Sequence, residues 1–81
     1  MHVLIDMDLA ILGQPAPIFD AYEQHIRQEY AWVPHEAYLK GRARILRSFL
    51  HRATIYATDH FRLHYEAQAR SNIARLLRVF E

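Results

Sequence analysis

Hydrophobic positions recur at helical spacing along nearly the whole chain, and glycine, proline and one short connector divide that pattern into four segments. The first runs to about Leu12 and is stopped by Gly13 and the "GQPAP" connector. The second begins at Pro17, a residue suited to a first helical turn, and should end near Trp32. Ile18, Tyr22, Ile26 and Tyr30 repeat every four residues and mark its expected core face. Pro34 opens the third, in which Tyr38, Ile45, Leu46 and Phe49 share a face and Gly41 weakens the helix locally. "ATIYAT" reads as a short extended connector. The last helix, "DHFRLHYEAQARSNIARLLRVF", is capped by Thr58 or Asp59 and carries Phe61, Tyr65, Ala69, Ile73, Leu76 and Phe80 on one arc. The pattern predicts an all-α chain, a single segment over residues 1–81 with about four amphipathic helices. Each helix needs a surface to cover its apolar stripe.

Composition sharpens this in three respects. Eighty-one residues make one domain at most, near the size at which one core suffices without staples. Cysteine is absent, which excludes a disulfide framework and a thiolate metal site. A formal charge of +1 argues against nucleic acid or an anionic membrane as the main partner. The opening "MHVLIDMDLAILG" is apolar but holds two acids and no basic residue, so it does not read as a signal peptide. No stretch approaches the ~18 apolar residues of a membrane span. A soluble, cytoplasmic protein is expected.

Polar residues on apolar arcs are the places to look for chemistry. Around "DMDLAILG", Leu4 and Ile5 just before it share an arc with Leu9 and Leu12, Asp8 falls inside that arc, and Asp6 falls nearly opposite. First-turn acids ordinarily complement the helix dipole, but one aimed at a core must be hydrogen-bonded, paired or metal-bound. Arg42 sits at the centre of the third helix's apolar arc and requires a carboxylate, a phosphate or several carbonyls, because a guanidinium keeps its charge. Glu29 is the expected partner, Asp8 an alternative, and a bound phosphoryl group the functional reading. On the opposite side, Lys40, Arg44, Arg47 and His51 form a stripe expected to be a solvated face rather than a nucleic-acid patch.

His60 and His64 have the i,i+4 spacing of a metal pair. Both point away from the apolar arc, and "HFRLH" lacks the glutamate of the His-Glu-x-x-His pattern, so they read as exposed. His2, His25, His35 and His51 are scattered. No glycine-rich phosphate loop, G-x-S-x-G elbow or cysteine nucleophile is present, and Ser48 and Ser71 have no evident base.

The strings "DMDLAILG", "YEQHIRQEY", "VP", "GRARIL", "FLHRATIYAT" and "ARSNIARLL", in that order and spacing, resemble the C-terminal part of a bacterial family of predicted metal-dependent phosphohydrolases of the HD superfamily. The resemblance runs over nearly all of this chain and less than half of a full member. It implies a partial HD-like helical bundle. It also implies a divalent metal held by a histidine, a consecutive His-Asp pair and a later aspartate that usually precedes leucine. Asp8-Leu9 matches that last position, making Asp8 the expected metal ligand. No His-Asp dipeptide occurs here, and Asp59-His60 has the reverse order. One carboxylate does not make a site of three or more ligands, so the chain alone is expected to bind no metal stably and to be inactive. Arg42, Arg70 and Asn72 match positions typical of the family without a defined role. The expected partners are the missing N-terminal helices or a second copy in a homodimer. The competing reading is a small helical interaction module with no catalytic activity.

Overall fold

A computed structural model of the chain describes residues 9–80. These residues hold three α-helices rather than four: α1 (Ala16–Glu29), α2 (His35–Leu50) and α3 (Asp59–Phe80). A single 3₁₀ turn, Ala10–Gly13, precedes them, and no strand occurs among the described residues. The count differs from expectation at the opening segment. Its residues 1–8 lie outside the described residues, and residues 10–13 tighten into 3₁₀ form before the backbone straightens at Gln14, with ψ of 162°. The next residue is Pro15, whose ring disfavours a helical conformation for the residue before it.

Proline starts the next two helices. Pro15 and Pro34 both have extended backbones, with ψ of 149° and 142°. The Pro15 carbonyl accepts from the Ile18 and Phe19 amides at 3.0 and 3.1 Å, and the Pro34 carbonyl accepts from Tyr38 at 2.9 Å. The helix α1 stops at Glu29, short of Trp32, because the chain turns over Tyr30–Val33. There the Arg27 guanidinium donates to the carbonyls of Tyr30 and Val33 at 2.9 and 3.4 Å. The helix α3 begins where expected, with Thr58 Oγ1 accepting from the Phe61 amide.

The long helix α3 is the spine. Ala69, Ile73 and Leu77 meet Leu9 and Leu12 of the opening segment, Phe19 of α1, Ala43 and Leu46 of α2, and Ile55 and Tyr56 of the connector. The connector, expected to be short and extended, is instead a run of turns and bends, and Ile55 and Tyr56 are wholly buried, so it plugs the core rather than skirting it.

The helix α1 is turned by about one residue from its expected orientation. Phe19 and Glu23 are buried, while Ile18, Tyr22 and Tyr30 are exposed, Ile18 by 51 %. In α2, Ile45 is likewise 50 % exposed, and Leu46 and Ala43 face the core. The cause is a buried cation. Arg42 lies toward the α1 side of α2, and its charge draws an acid inward. Turning Glu23 toward Arg42 swings the Ile18/Tyr22 edge, and Glu29 with it, toward solvent.

Candidate functional site

Arg42 and Glu23 form a two-pronged pair. Nε donates to Oε1 at 2.9 Å, and one terminal nitrogen donates to Oε2. The side chains retain only 14 % and 7 % of their exposure. Burial alone would weaken the guanidinium's hold on its proton, and the Glu23 carboxylate more than offsets this, leaving the Arg42 pKa raised. Glu29, the expected partner, is exposed and outside any ion pair among the described residues. With both Glu23 oxygens engaged, Arg42 is a strut between α1 and α2. The phosphoryl-site reading of Arg42 loses its motive, since the guanidinium's charge is met inside the chain.

Below this strut, Tyr38 receives the Arg27 guanidinium over its ring at 4.6 Å, and burial raises the phenol's pKa. A cleft of about 360 Å³ opens there between α1, α2 and the end of α3, with Leu39, Leu76, Val79 and Phe80 on its apolar side. Arg75 at its rim is held by Asp20 at 3.0 Å.

Asp8, the expected metal ligand, lies outside the described residues, as does His2. The support for the chain just after Asp8 is described. Leu9 is buried, and its carbonyl accepts from the Tyr56 hydroxyl at 2.8 Å. Three residues on, Asn72 Nδ2 donates to the carbonyls of Leu12 and Gln14 at 2.9 and 2.8 Å. Its Oδ1 accepts from Gln68 at 2.8 Å and from Arg75 at 3.4 Å. Every polar atom of this buried amide is thereby used. Gly13 rides so close to α3 that a Cβ on it would come within 2.7 Å of Tyr65 Cβ and 2.8 Å of the Tyr65 carbonyl oxygen. The opening turn is thus clamped from the connector, from α3 and by close approach.

Arg70 and Glu66 form the second clamp. Glu66 accepts the Ile55 amide at 3.0 Å on both oxygens and the Tyr56 amide at 3.2 Å, and Arg70 Nε donates to it at 2.7 Å. The remaining Arg70 nitrogens donate to the carbonyls of Leu50, Arg52 and Ala53, closing the end of α2. Burial pushes the Glu66 pKa up, but the backbone amides and Arg70 together outweigh it and leave it lowered. This clamp holds the connector so that Tyr56 can reach Leu9. Tyr56 and Glu66 were missed by sequence reasoning, and Asn72 was singled out without a role. The available signal was an amide and a carboxylate near the apolar arc of α3.

The His60 and His64 rings lie 4.6 Å apart, tilted at 53°, on the exposed side of α3, in agreement with their sequence reading. Among the described residues, no three His, Asp or Glu side chains gather closely enough to hold a metal ion, so residues 9–80 alone do not fit the divalent metal that the resemblance implies. No helix among them is long and apolar enough to cross a membrane. Comparisons of the chain with protein-family models, with curated proteins and with solved structures find no match.

Proposed function

We propose that this chain is a C-terminal segment of a metal-dependent phosphohydrolase of the HD superfamily, acting in the cytoplasm and catalytically silent until the missing metal-binding helices join it. The order of the matching strings supports the reading, with Asp8-Leu9 at the position of the last ligand. The observation that carries it furthest is the clamp on the residues that follow Asp8. A ligating carboxylate needs a backbone fixed to a fraction of an ångström, and Tyr56 and Asn72 fix the opening turn from Leu9 onward. The purified chain should show no phosphomonoester turnover with manganese, magnesium or nickel. Metal binding should appear when N-terminal helices bearing a histidine and a His-Asp pair are supplied, and Asp8→Ala should abolish it. Robust hydrolysis by the chain alone would overturn the silence, and metal affinity indifferent to Asp8→Ala would overturn the ligand assignment.

A second reading, a dimerising helical module, is favoured by one feature. Ile18, Tyr22, Tyr30 and Ile45 stay exposed along α1 and α2, and a hollow of about 310 Å³ beside them includes Gly41. Exposed apolar residues gathered on one side tend to mark association. Sedimentation at micromolar concentration decides between the two: a stable dimer abolished by Ile45→Glu supports the module, and a monomer supports the segment.

A further inference from the structure

The formal charge of +1 conceals where charge lies. All ten Lys and Arg and six of the nine Asp and Glu fall within the described residues 9–80. Four of those six acids are engaged: Glu23 with Arg42, Asp59 with Arg62, Glu66 with Arg70 and Asp20 with Arg75. Among the described residues, the cations outside ion pairs are Arg27, Lys40, Arg44, Arg47, Arg52 and Arg78, against Glu29 and Glu36. Arg27 is turned onto Tyr38 and two carbonyls, and Arg78 lies in the last turn of α3. The other four lie on α2 or just past its end.

Lys40, Arg44 and Arg47, with His51, are spaced four, three and four residues apart, so they form one stripe on the exposed side of α2. The stripe is roughly 16 Å long at 1.5 Å per residue, and its residues line one shallow concavity of about 460 Å³ together with Ser48. Arg52 extends it past the helix end, its guanidinium 5.9 Å from the Phe49 ring. Attraction to the helix C-terminus accounts for a cation in the last turn, such as Arg47, but not for Lys40 and Arg44, which lie earlier.

The stripe's chemistry discriminates among anionic partners. The Ser48 hydroxyl is turned back on the Ile45 carbonyl. No large apolar side chain lies within the stripe, and Ile45 belongs to the neighbouring face with Gly41. Tight protein contacts centre on an aromatic or aliphatic anchor, and stable anchoring of a basic patch to an anionic membrane takes a second, apolar or lipid, signal beside it. A phosphodiester chain needs neither. It offers one charge per ~1.7 Å of duplex axis, and arginine meets phosphate oxygens with two parallel donors. We propose that Lys40, Arg44, Arg47 and Arg52 dock the phosphate backbone of a nucleic acid without reading its sequence.

The test is anisotropy of a fluorescent 20-base-pair DNA duplex titrated with the full chain at a series of salt concentrations. Four phosphate contacts predict a slope of log K on log salt of about −3.6, roughly a 150-fold loss of affinity between 50 and 200 mM salt. The double variant Arg44→Gln/Arg47→Gln should lose about 2 from that slope, keep its circular dichroism spectrum and bind more weakly at 50 mM. Arg78→Gln, on α3 and outside the stripe's concavity, should bind as the parent does. The proposal is overturned by absence of binding at 50 mM salt or by a double variant that binds like the parent. Tighter binding to a polyglutamate peptide or to anionic vesicles than to the duplex would also overturn it.

Discussion

Asn72 has the largest set of buried partners of any side-chain amide in the described chain, and its replacement tests how firmly the opening turn is held. Asn72→Leu keeps the volume but leaves the carbonyls of Leu12 and Gln14 without a donor. It should lower stability by about 2–4 kcal/mol in urea unfolding, since each orphaned buried acceptor costs about 1–3. The two glycines should respond in opposite directions. Gly13→Ala must push against Tyr65, a backbone neighbour that cannot give way, and should cost about 1–3 kcal/mol. A Cβ at Gly41 meets nothing within 4 Å, so Gly41→Ala should raise stability by about 0.5–1 kcal/mol and Tm by a few degrees in thermal unfolding. A glycine placed in mid-helix without a neighbour to accommodate is not explained by packing among the described residues.

At the scale of elements, the periodic pattern carried most of the fold and little of the site. Two helix starts were legible because Pro34 and Thr58 act through local backbone chemistry, whereas α1 begins at Ala16 after Pro15, one residue before the expected Pro17. The orientation of α1 was not legible. Two overlapping stripes were open to it, one through Ile18 and Tyr22, the other through Phe19 and Glu23, and a contact 19 residues away decided between them. The same rotation explains why Glu29 was the wrong partner for Arg42. A wheel that puts Tyr22 inside puts Glu29 inside as well. Replacing Glu23 alone by Leu strands the Arg42 charge and should cost about 3–5 kcal/mol, whereas Glu23→Leu/Arg42→Leu together should recover most of that loss in the same denaturant titration. The connector 51–58 escaped for a related reason. Ile55 and Tyr56 have no period to read, and their burial depends on Glu66, ten and eleven residues further along the chain.

At the scale of the whole molecule, acid sensitivity should follow from Glu66. Its carboxyl is held below the ordinary carboxylate value in the folded chain. The stabilisation it supplies is therefore present above the unfolded value, near 4.3, and is lost as pH falls through the folded value. Chemical denaturation at pH 7 and at points down to pH 3 should show the parent losing stability over the acid part of this range. Glu66→Gln should be weaker at pH 7 and less dependent on pH there. A parent and a variant that decline in parallel would assign acid lability to other carboxylates. The lowered pKa arises from amides that belong to the connector, so protonation should loosen the join between α2 and α3 before it reaches the core of α3.

The grip of Glu66 on two consecutive peptide groups also supplies a built-in reporter. The Ile55 and Tyr56 amides have a side-chain carboxylate as acceptor, outside any helical ladder. Their deuterium uptake should therefore track the parting of connector from spine, separately from the fraying of helix ends. Followed residue by residue, those two protons would time the release of the opening turn in a molecule too small to offer many other internal markers.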